Sequence, residues 1–269
     1  MDLSLIASMV VLGAGIGFVA GLLGIGGGMI MVPFMSMILD RVGFPAEEVV
    51  KVAIATSLCT ILFTSASSVR AQHARGAVRW DLVRLFAPGI VLGSLIGAQF
   101  ASSLRGGLLA LIFGLFIAFM ATQMVRPRKT EADRQLPDRP WLLGFGTLVG
   151  SLSAVVGAGG AFMLAPYMSR RSVPIQQAIG TSAACGFPLA LAGSIGYVIA
   201  GWSVEMPDHT WGYVYAPALF GISVASMLTA PLGVRVAHRT PTARLKKLFA
   251  YMLYLMAGYM LWRAWAYGL

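Results

Sequence analysis

With 58% hydrophobic residues, only 11% charged ones and a mean hydropathy of +0.79 over 269 residues, this chain falls far below the roughly 25% charged content of a soluble domain, so an ordinary water-soluble fold is excluded. The formal net charge of +10 would suggest nucleic acid for a soluble protein. In an apolar chain it reads as basic loops retained on the cytoplasmic face, and nucleic acid is not expected as a partner.

Charge-free runs mark the elements in chain order: 3–39, 52–69, 85–104, 106–125, 140–169, 172–204 and 210–234, with a shorter run at 248–262 that Tyr251, Trp265 and Tyr267 extend as interfacial anchors. A hydrocarbon core of roughly 30 Å takes about 20 helical residues, so these runs are read as membrane helices. The strict alternation that a barrel requires is absent, and helices satisfy their own backbone groups in lipid. The first run follows Met1-Asp2, lacks a basic start and is too long for a cleaved leader, so it is expected to stay in the protein. Cys59 and Cys185 sit inside apolar runs without metal-ligand spacing and read as buried small hydrophobes, and no metal site or cofactor is expected.

The chain repeats itself. Residues 21–35 (GLLGIGGGMIMVPFM) align without a gap on 154–168 (AVVGAGGAFMLAPYM); Ala53–Ser57 (AIATS) then pairs with Ala178–Ser182 (AIGTS), and Gly76 with Gly201. The expected organisation is a first membrane repeat over 1–125, a basic cytoplasmic linker over 126–140 and a second membrane repeat over 141–269.

Arginine and lysine cluster around 70–84, 126–139 and 235–247, whereas 201–211 holds Glu205 and Asp208 and no basic residue. The positive-inside rule puts the three basic segments in the cytoplasm and the acidic one outside. That parity holds if 142–170 enters the membrane, turns at Gly157–Gly160 and returns to the same side, with 3–39 doing the same from outside. The expected fold is all-α and membrane-integral, each half combining a glycine-broken, re-entrant segment with about three transmembrane helices. Three crossings invert the second half relative to the first. Both termini are expected in the periplasm of a bacterial inner-membrane, multi-pass protein. A broken crossing helix with a surface arm in each half is the rival reading.

Glycine interrupts helices because of its backbone entropy and its freedom at positive φ. The clusters Gly24, Gly26, Gly27, Gly28 and Gly157, Gly159, Gly160 predict unwound spots, each followed by an arm that starts near Met29 or at Ala161–Phe162 and contains Pro33 or Pro166. The arms would aim free N–H groups and the positive end of a helix dipole at the membrane interior, which suits an anion. Thr56, Ser57, Thr181 and Ser182 add hydroxyls to the same candidate substrate site. Gly24, Pro33, Gly157 and Pro166 are read as structural. The plainer alternatives are close helix approach at small residues and back-bonding of hydroxyls to helix carbonyls. Lys51 and Arg105 are expected to snorkel to headgroups from helix ends, and His73, His209 and His238 to lie in loops. No carboxylate lies inside an apolar run, which disfavours cation transport and an embedded proton relay.

The paired glycine blocks, the two Ala-x-x-Thr-Ser segments and the His73–Trp80 stretch (HARGAVRW) together resemble the sulfite exporter TauE/SafE family of bacterial permeases, over nearly the whole chain. The resemblance implies a transporter of sulfur-containing or organic anions such as sulfite, thiosulfate, sulfonates or sulfoacetate. Ala161, standing where the first repeat has Gly28, makes the two turns unequal. The expected function is thus a secondary transporter, its partners a small anionic substrate and membrane lipids. A coupling ion, H+ or Na+, and a homodimer are left open. No Walker-type loop is present. A membrane enzyme would need a reactive cluster that no run contains; a passive channel or an assembly subunit remains the alternative.

Overall fold

A computed structural model describes residues 3–23, 28–125, 138–237 and 242–267. The first half contains α1 (Leu3–Leu23), α2 (Gly28–Val42), α3 (Ala46–Ala74), α4 (Trp80–Ser103) and α5 (Gly106–Val125). The second contains α6 (Arg139–Val156), α7 (Ala161–Ser169), α8 (Ile175–Ala200), α9 (Ala216–Ala237) and α10 (Thr242–Ala266). Between α8 and α9 lies a minimal antiparallel ribbon, β1 (Thr210–Trp211) with β2 (Val214–Tyr215), where the apolar run predicts helix throughout. Among the described residues, α3, α4, α5, α6 and α8 are long and apolar enough to cross a membrane.

Leu92, Ile96 and Phe100 of α4, Leu115 and Phe119 of α5, Leu191, Ile195 and Ile199 of α8 and Phe220, Val224 and Leu228 of α9 are exposed. Apolar girdles of this size suit lipid rather than water. Exposed tryptophans lie at both ends of the bundle, Trp80 and Trp141 at the starts of α4 and α6, Trp202 and Trp265 at the ends of α8 and α10, as interfacial aromatics do. Cys59 and Cys185 are buried in α3 and α8.

Small residues set the packing. A methyl group on Gly89, Gly93 or Gly97 of α4 would strike the backbone of Leu143, Thr147 or Ser151 of α6, and Ser151 Oγ donates to the Gly93 carbonyl at 3.0 Å. Gly13 and Gly17 of α1 meet Ile222 and Ser226 of α9 in the same manner, with Thr229 Oγ1 donating to the Ala14 carbonyl at 2.8 Å. In both pairs the contacts advance four residues on each helix together, so α6 runs with α4 and α1 runs with α9. The helix α8 also runs with α4, since Thr181 lies at the start of α4 and Gln99 near its end donates to the Gly196 carbonyl at 3.1 Å. Against α8, α3 runs the other way, Leu58 meeting Gly193 and Ser65 meeting Gly186. Likewise α5 opposes α10, Gly114 meeting Leu261 and Thr122 Oγ1 lying 2.8 Å from the Tyr254 hydroxyl.

Because α6 and α8 both run with α4, the nine residues of α7 carry the chain back to the end where α6 began. The helix α2 does the same for α1. The end of α2 leads to Phe44, whose ring meets Tyr215 edge-on at 5.2 Å, and Tyr215 precedes α9, beside which α1 starts.

Two hydroxyls hold helix starts. Thr56 Oγ1, fully buried in α3, accepts the Tyr215 N–H at 3.1 Å just before α9. Thr181 Oγ1, fully buried in α8, accepts the Arg79 N–H at 3.0 Å just before α4. Each uses a side-chain acceptor to satisfy a donor that the helix start leaves orphaned. At the end of α10, the buried guanidinium of Arg263 clasps the Asp40 carboxylate at the end of α2, Nη2 donating to Oδ1 at 2.9 Å and Nη1 to Oδ2, with the Tyr267 ring 4.7 Å from the guanidinium carbon.

Three substitutions test this packing. Gly93→Ala should sharply lower the yield and Tm of purified protein, because a backbone carbonyl blocks the methyl group. Gly144→Ala, with nothing within 4 Å, should be neutral or gain up to about 1 kcal/mol from helix propensity. Thr56→Val keeps the shape but orphans the buried Tyr215 N–H, and should cost about 1–3 kcal/mol in denaturant unfolding in detergent.

Candidate anion site at the glycine turn

The helix α6 ends at Gly157, whose φ of 61° and ψ of 29° place it in the left-handed region. The N–H groups of Gly157 and Ala158 both turn back to the Ser153 carbonyl, closing the helix as glycine caps do. A Cβ at Gly157 would be strained by φ and would meet Ile54 and Val32 at 3.1–3.2 Å, so only glycine fits. Ala158 and Gly159 complete the turn, and α7 starts from Gly160. Its first helical bonds run from Met163 and Leu164 back to the Gly160 carbonyl, at 3.1 and 3.0 Å. Among the described residues, the N–H groups of Gly159, Gly160, Ala161 and Phe162 have no hydrogen-bond acceptor. Gly157 to Gly160 are buried, Ala161 and Phe162 half-buried. Four donors, the positive end of the α7 dipole and no ionised side chain from Pro140 to Ser169 make this a place where a negative guest gains and a positive one loses.

The other half reaches the same spot. Ser57 Oγ, fully buried, donates to the Gly157 carbonyl at 3.0 Å. A Cβ on Gly28, the first residue of α2, would lie 2.6 Å from that carbonyl oxygen and 3.2 Å from Ser57 Oγ. The start of α2, the end of α6 and the middle of α3 therefore converge on one point. Ile61 of α3 lies against both Gly28 and Gly159, the latter with its nearest atom 3.9 Å from a Cβ position.

The residues expected to line a site are thus placed unequally. Gly28, Gly157, Gly159, Gly160 and Ser57 come together, and Met29 is buried beside Gly28 in α2. Ala161 and Phe162 open α7, the Phe162 ring meeting Phe116 of α5 edge-on at 5.2 Å. Thr56 and Thr181 are occupied as acceptors of helix-start N–H groups. Ser182 donates to the Ala178 carbonyl at 2.7 Å, four residues back, the local bond common for helical serine. Pro33 and Pro166 fall inside α2 and α7. Gly24, Gly26 and Gly27 lie outside the described residues, as do His238 and most of the linker.

Two sequence expectations need correction. Lys51 does not snorkel to headgroups: it is 6% exposed and ion-paired with Glu48. Burying an ammonium requires a partner, and the i, i+3 spacing of the two residues was the available signal. His73 lies in the last turn of α3 rather than in a loop, its Nδ1 accepting the Trp80 Nε1–H at 3.1 Å. Asp40 and Arg263 had no local signal, being 223 positions apart. The Gly157 carbonyl as an acceptor for Ser57 was also missed, since backbone partners leave no mark on composition.

Residues 9–260 match the model of the family described as Sulfite exporter TauE/SafE. A probable membrane transporter protein of Haemophilus influenzae is 36% identical over 91% of this chain and 94% of its own. Probable membrane transporter proteins of Methanocaldococcus jannaschii and Xylella fastidiosa are 24% and 26% identical, each over 96% of both chains. No solved structure matches. From a family match over nearly its whole length, this chain belongs to the sulfite exporter TauE/SafE family, a family of membrane transporters and not of enzymes.

Proposed function

We propose that the protein is a secondary transporter that moves a small anion, a sulfur oxyanion or organosulfonate such as sulfite, thiosulfate or sulfoacetate, across the bacterial inner membrane by alternating access. The observation that carries the reading is the set of four unpaired N–H groups at Gly159–Phe162 in a turn without ionised side chains. Buried donors left unpaired cost free energy, and the oxygens of a tetrahedral or pyramidal oxyanion meet that need.

An inverted repeat of 1–125 and 141–269 about the linker at 126–140 belongs to the proposal. Its support is the matched packing: α1 rests on α9 as α6 rests on α4, with counterpart helices running in opposite senses. Thr56 and Thr181, counterparts in the repeat, hold the starts of α9 and α4, which are counterparts too. Under the positive-inside rule, the end bearing Arg79, Arg139 and Arg171 faces the cytoplasm. The membrane potential then favours anion export by about 2.3 kcal/mol per charge per 100 mV; import would require H+ or Na+ as co-ion.

In proteoliposomes, uptake of 35S-labelled sulfite or thiosulfate should saturate and be accelerated by unlabelled anion on the far side; flux linear in concentration and indifferent to the far side would contradict a carrier. Ala161→Pro tests the donors themselves. Proline is tolerated at the first position of a helix and removes one N–H. Losing a hydrogen bond to a charged guest, worth about 1.5–3 kcal/mol, should weaken affinity roughly 10- to 150-fold, a loss larger than any fall in Tm from the helical φ/ψ of Gly160 ahead of the proline accounts for. Gly159→Ala, which fits and keeps its N–H, should bind as the native protein does.

A further inference from the structure

Lys51 occupies the second turn of α3, at the end of the bundle opposite the arginine-rich segments. It is 6% exposed. Its Nζ donates to Glu48 Oε1 at 3.3 Å and lies 3.1 Å from Oε2, which receives no aligned hydrogen bond of its own. Nζ also sits 5.7 Å from the centroid of the Tyr213 ring, within the range of a cation–π contact. Burial and the neighbouring Glu48 carboxylate push the Tyr213 phenol, in the turn between β1 and β2, up to about 12. The ring beside the ammonium therefore stays neutral. An ammonium carries three N–H donors, and among the described residues Glu48 is the sole acceptor for them.

The position of the pair along α3 is informative. Lys51, Ile54, Leu58 and Ile61 follow one another at i, i+3, i+7 and i+10, a single stripe of the helix. A Cβ on Gly157 would meet the Ile54 Cα at 3.2 Å, Leu58 lies against Gly193 of α8, and Ile61 lies against Gly28 and Gly159. Lys51 heads the stripe that lines the glycine turn. Ser57 is six residues further on, roughly 9 Å at 1.5 Å per residue. The four-carbon stem of lysine swings its charge over several ångströms.

The pair is also absent from the other half. At the repeat offset of 125 that joins Thr56 to Thr181, Glu48 corresponds to Val173 and Lys51 to Gln176. Val173 is buried just ahead of α8, and Gln176 is exposed in its first turn, so the second half carries no charge at either position. Well-packed apolar residues often replace a buried ion pair at no loss of stability, so its presence in one half alone calls for another reason.

We propose that Lys51 is a transient contact site for the transported oxyanion on the outer side of the glycine turn, with Glu48 as the resident counter-charge that the anion displaces. The inference rests on the anion-carrier reading above and adds to it a specificity-determining cation on one side only. An oxyanion at this point exchanges one ion pair for another, so the ammonium is never buried alone. Glu48 simultaneously prevents the cation from trapping the anion.

The test uses full-length protein in proteoliposomes with 35S-labelled sulfite under argon, together with the rise in Tm that sulfite causes. Lys51→Met should raise KM at least tenfold, and Lys51→Arg should restore much of the loss. Glu48→Gln should lower KM several-fold and enlarge the sulfite-induced rise in Tm, because the competing carboxylate is gone. The double variant E48Q/K51M removes both charges and should regain native Tm without sulfite while keeping the high KM. Recovery of both Tm and KM in the double variant, or impaired affinity in Glu48→Gln, would overturn the proposal in favour of a purely structural pair. Native-like KM in Lys51→Met would overturn it too, leaving the carrier reading intact. Absence of saturable sulfite flux in the native protein would instead overturn the anion reading, and this inference with it.

Discussion

A backbone inside a membrane must find partners for its own N–H and C=O groups, and this chain meets that constraint along its long helices while breaking it at the glycine turn. Gly157 closes α6 in a conformation that a side chain would strain, and its N–H and that of Ala158 return to Ser153. Ser57 donates to the Gly157 carbonyl from the other half. The N–H groups beyond it, from Gly159 to Phe162, are left over. In the proposed cycle a passing anion completes the hydrogen bonding that the fold leaves unfinished. At the turn itself, no ionised side chain from Pro140 to Ser169 holds it too tightly to release.

The packing around the turn serves the same end. Gly89, Gly93 and Gly97 bring α4 within backbone contact of α6, and Gly13 and Gly17 do so for α1 and α9. Such contacts gain from dispersion and weak polar contacts rather than from the hydrophobic effect, which is absent between helices in lipid. Against these tightly packed pairs, α7 is only nine residues long and ends at Ser169. The contrast between two close-packed pairs and two short arms suits a device in which arms and scaffold shift relative to one another. Arg263 and Asp40 tie one arm, α2, to α10; Trp141 Nε1–H, donating to the Tyr167 hydroxyl at 3.1 Å, ties the other, α7, to α6. One arm is held by an ion pair and the other by a neutral hydrogen bond, and the Lys51–Glu48 pair is one-sided as well, so in the proposed cycle the two faces meet the anion differently.

How far the residues disclose this in advance depends on the reach of each signal. The helices are legible because missing charge over about 20 residues is a strong and local pattern, and the break at Gly157–Gly160 because glycine clusters are rare in helices. The expectation that 140–169 returns to its own side follows from counting crossings between basic segments; in the structure α6 and α8 both run with α4. Side-chain roles are harder to read. The repeated Thr-Ser pairs stand out in the sequence, yet Thr56 and Thr181 hold helix starts, Ser182 bonds within its own helix, and Ser57 alone reaches the turn. Sequence shows that a hydroxyl is present; which acceptor or donor it meets is decided by helices more than 100 residues away. Lys51 misleads for a related reason. Charge near the end of an apolar run ordinarily snorkels, whereas here Glu48 and the Tyr213 ring, carried on a ribbon from the second half, lie beside the ammonium.

The most direct measurement is anomalous diffraction from crystals grown with selenite, a heavier analogue of sulfite. A selenium peak is expected within hydrogen-bonding distance of the N–H groups of Gly159 to Phe162, near Ser57. Selenium bound elsewhere in the bundle, with those N–H groups facing protein carbonyls, would contradict an anion site built from backbone donors.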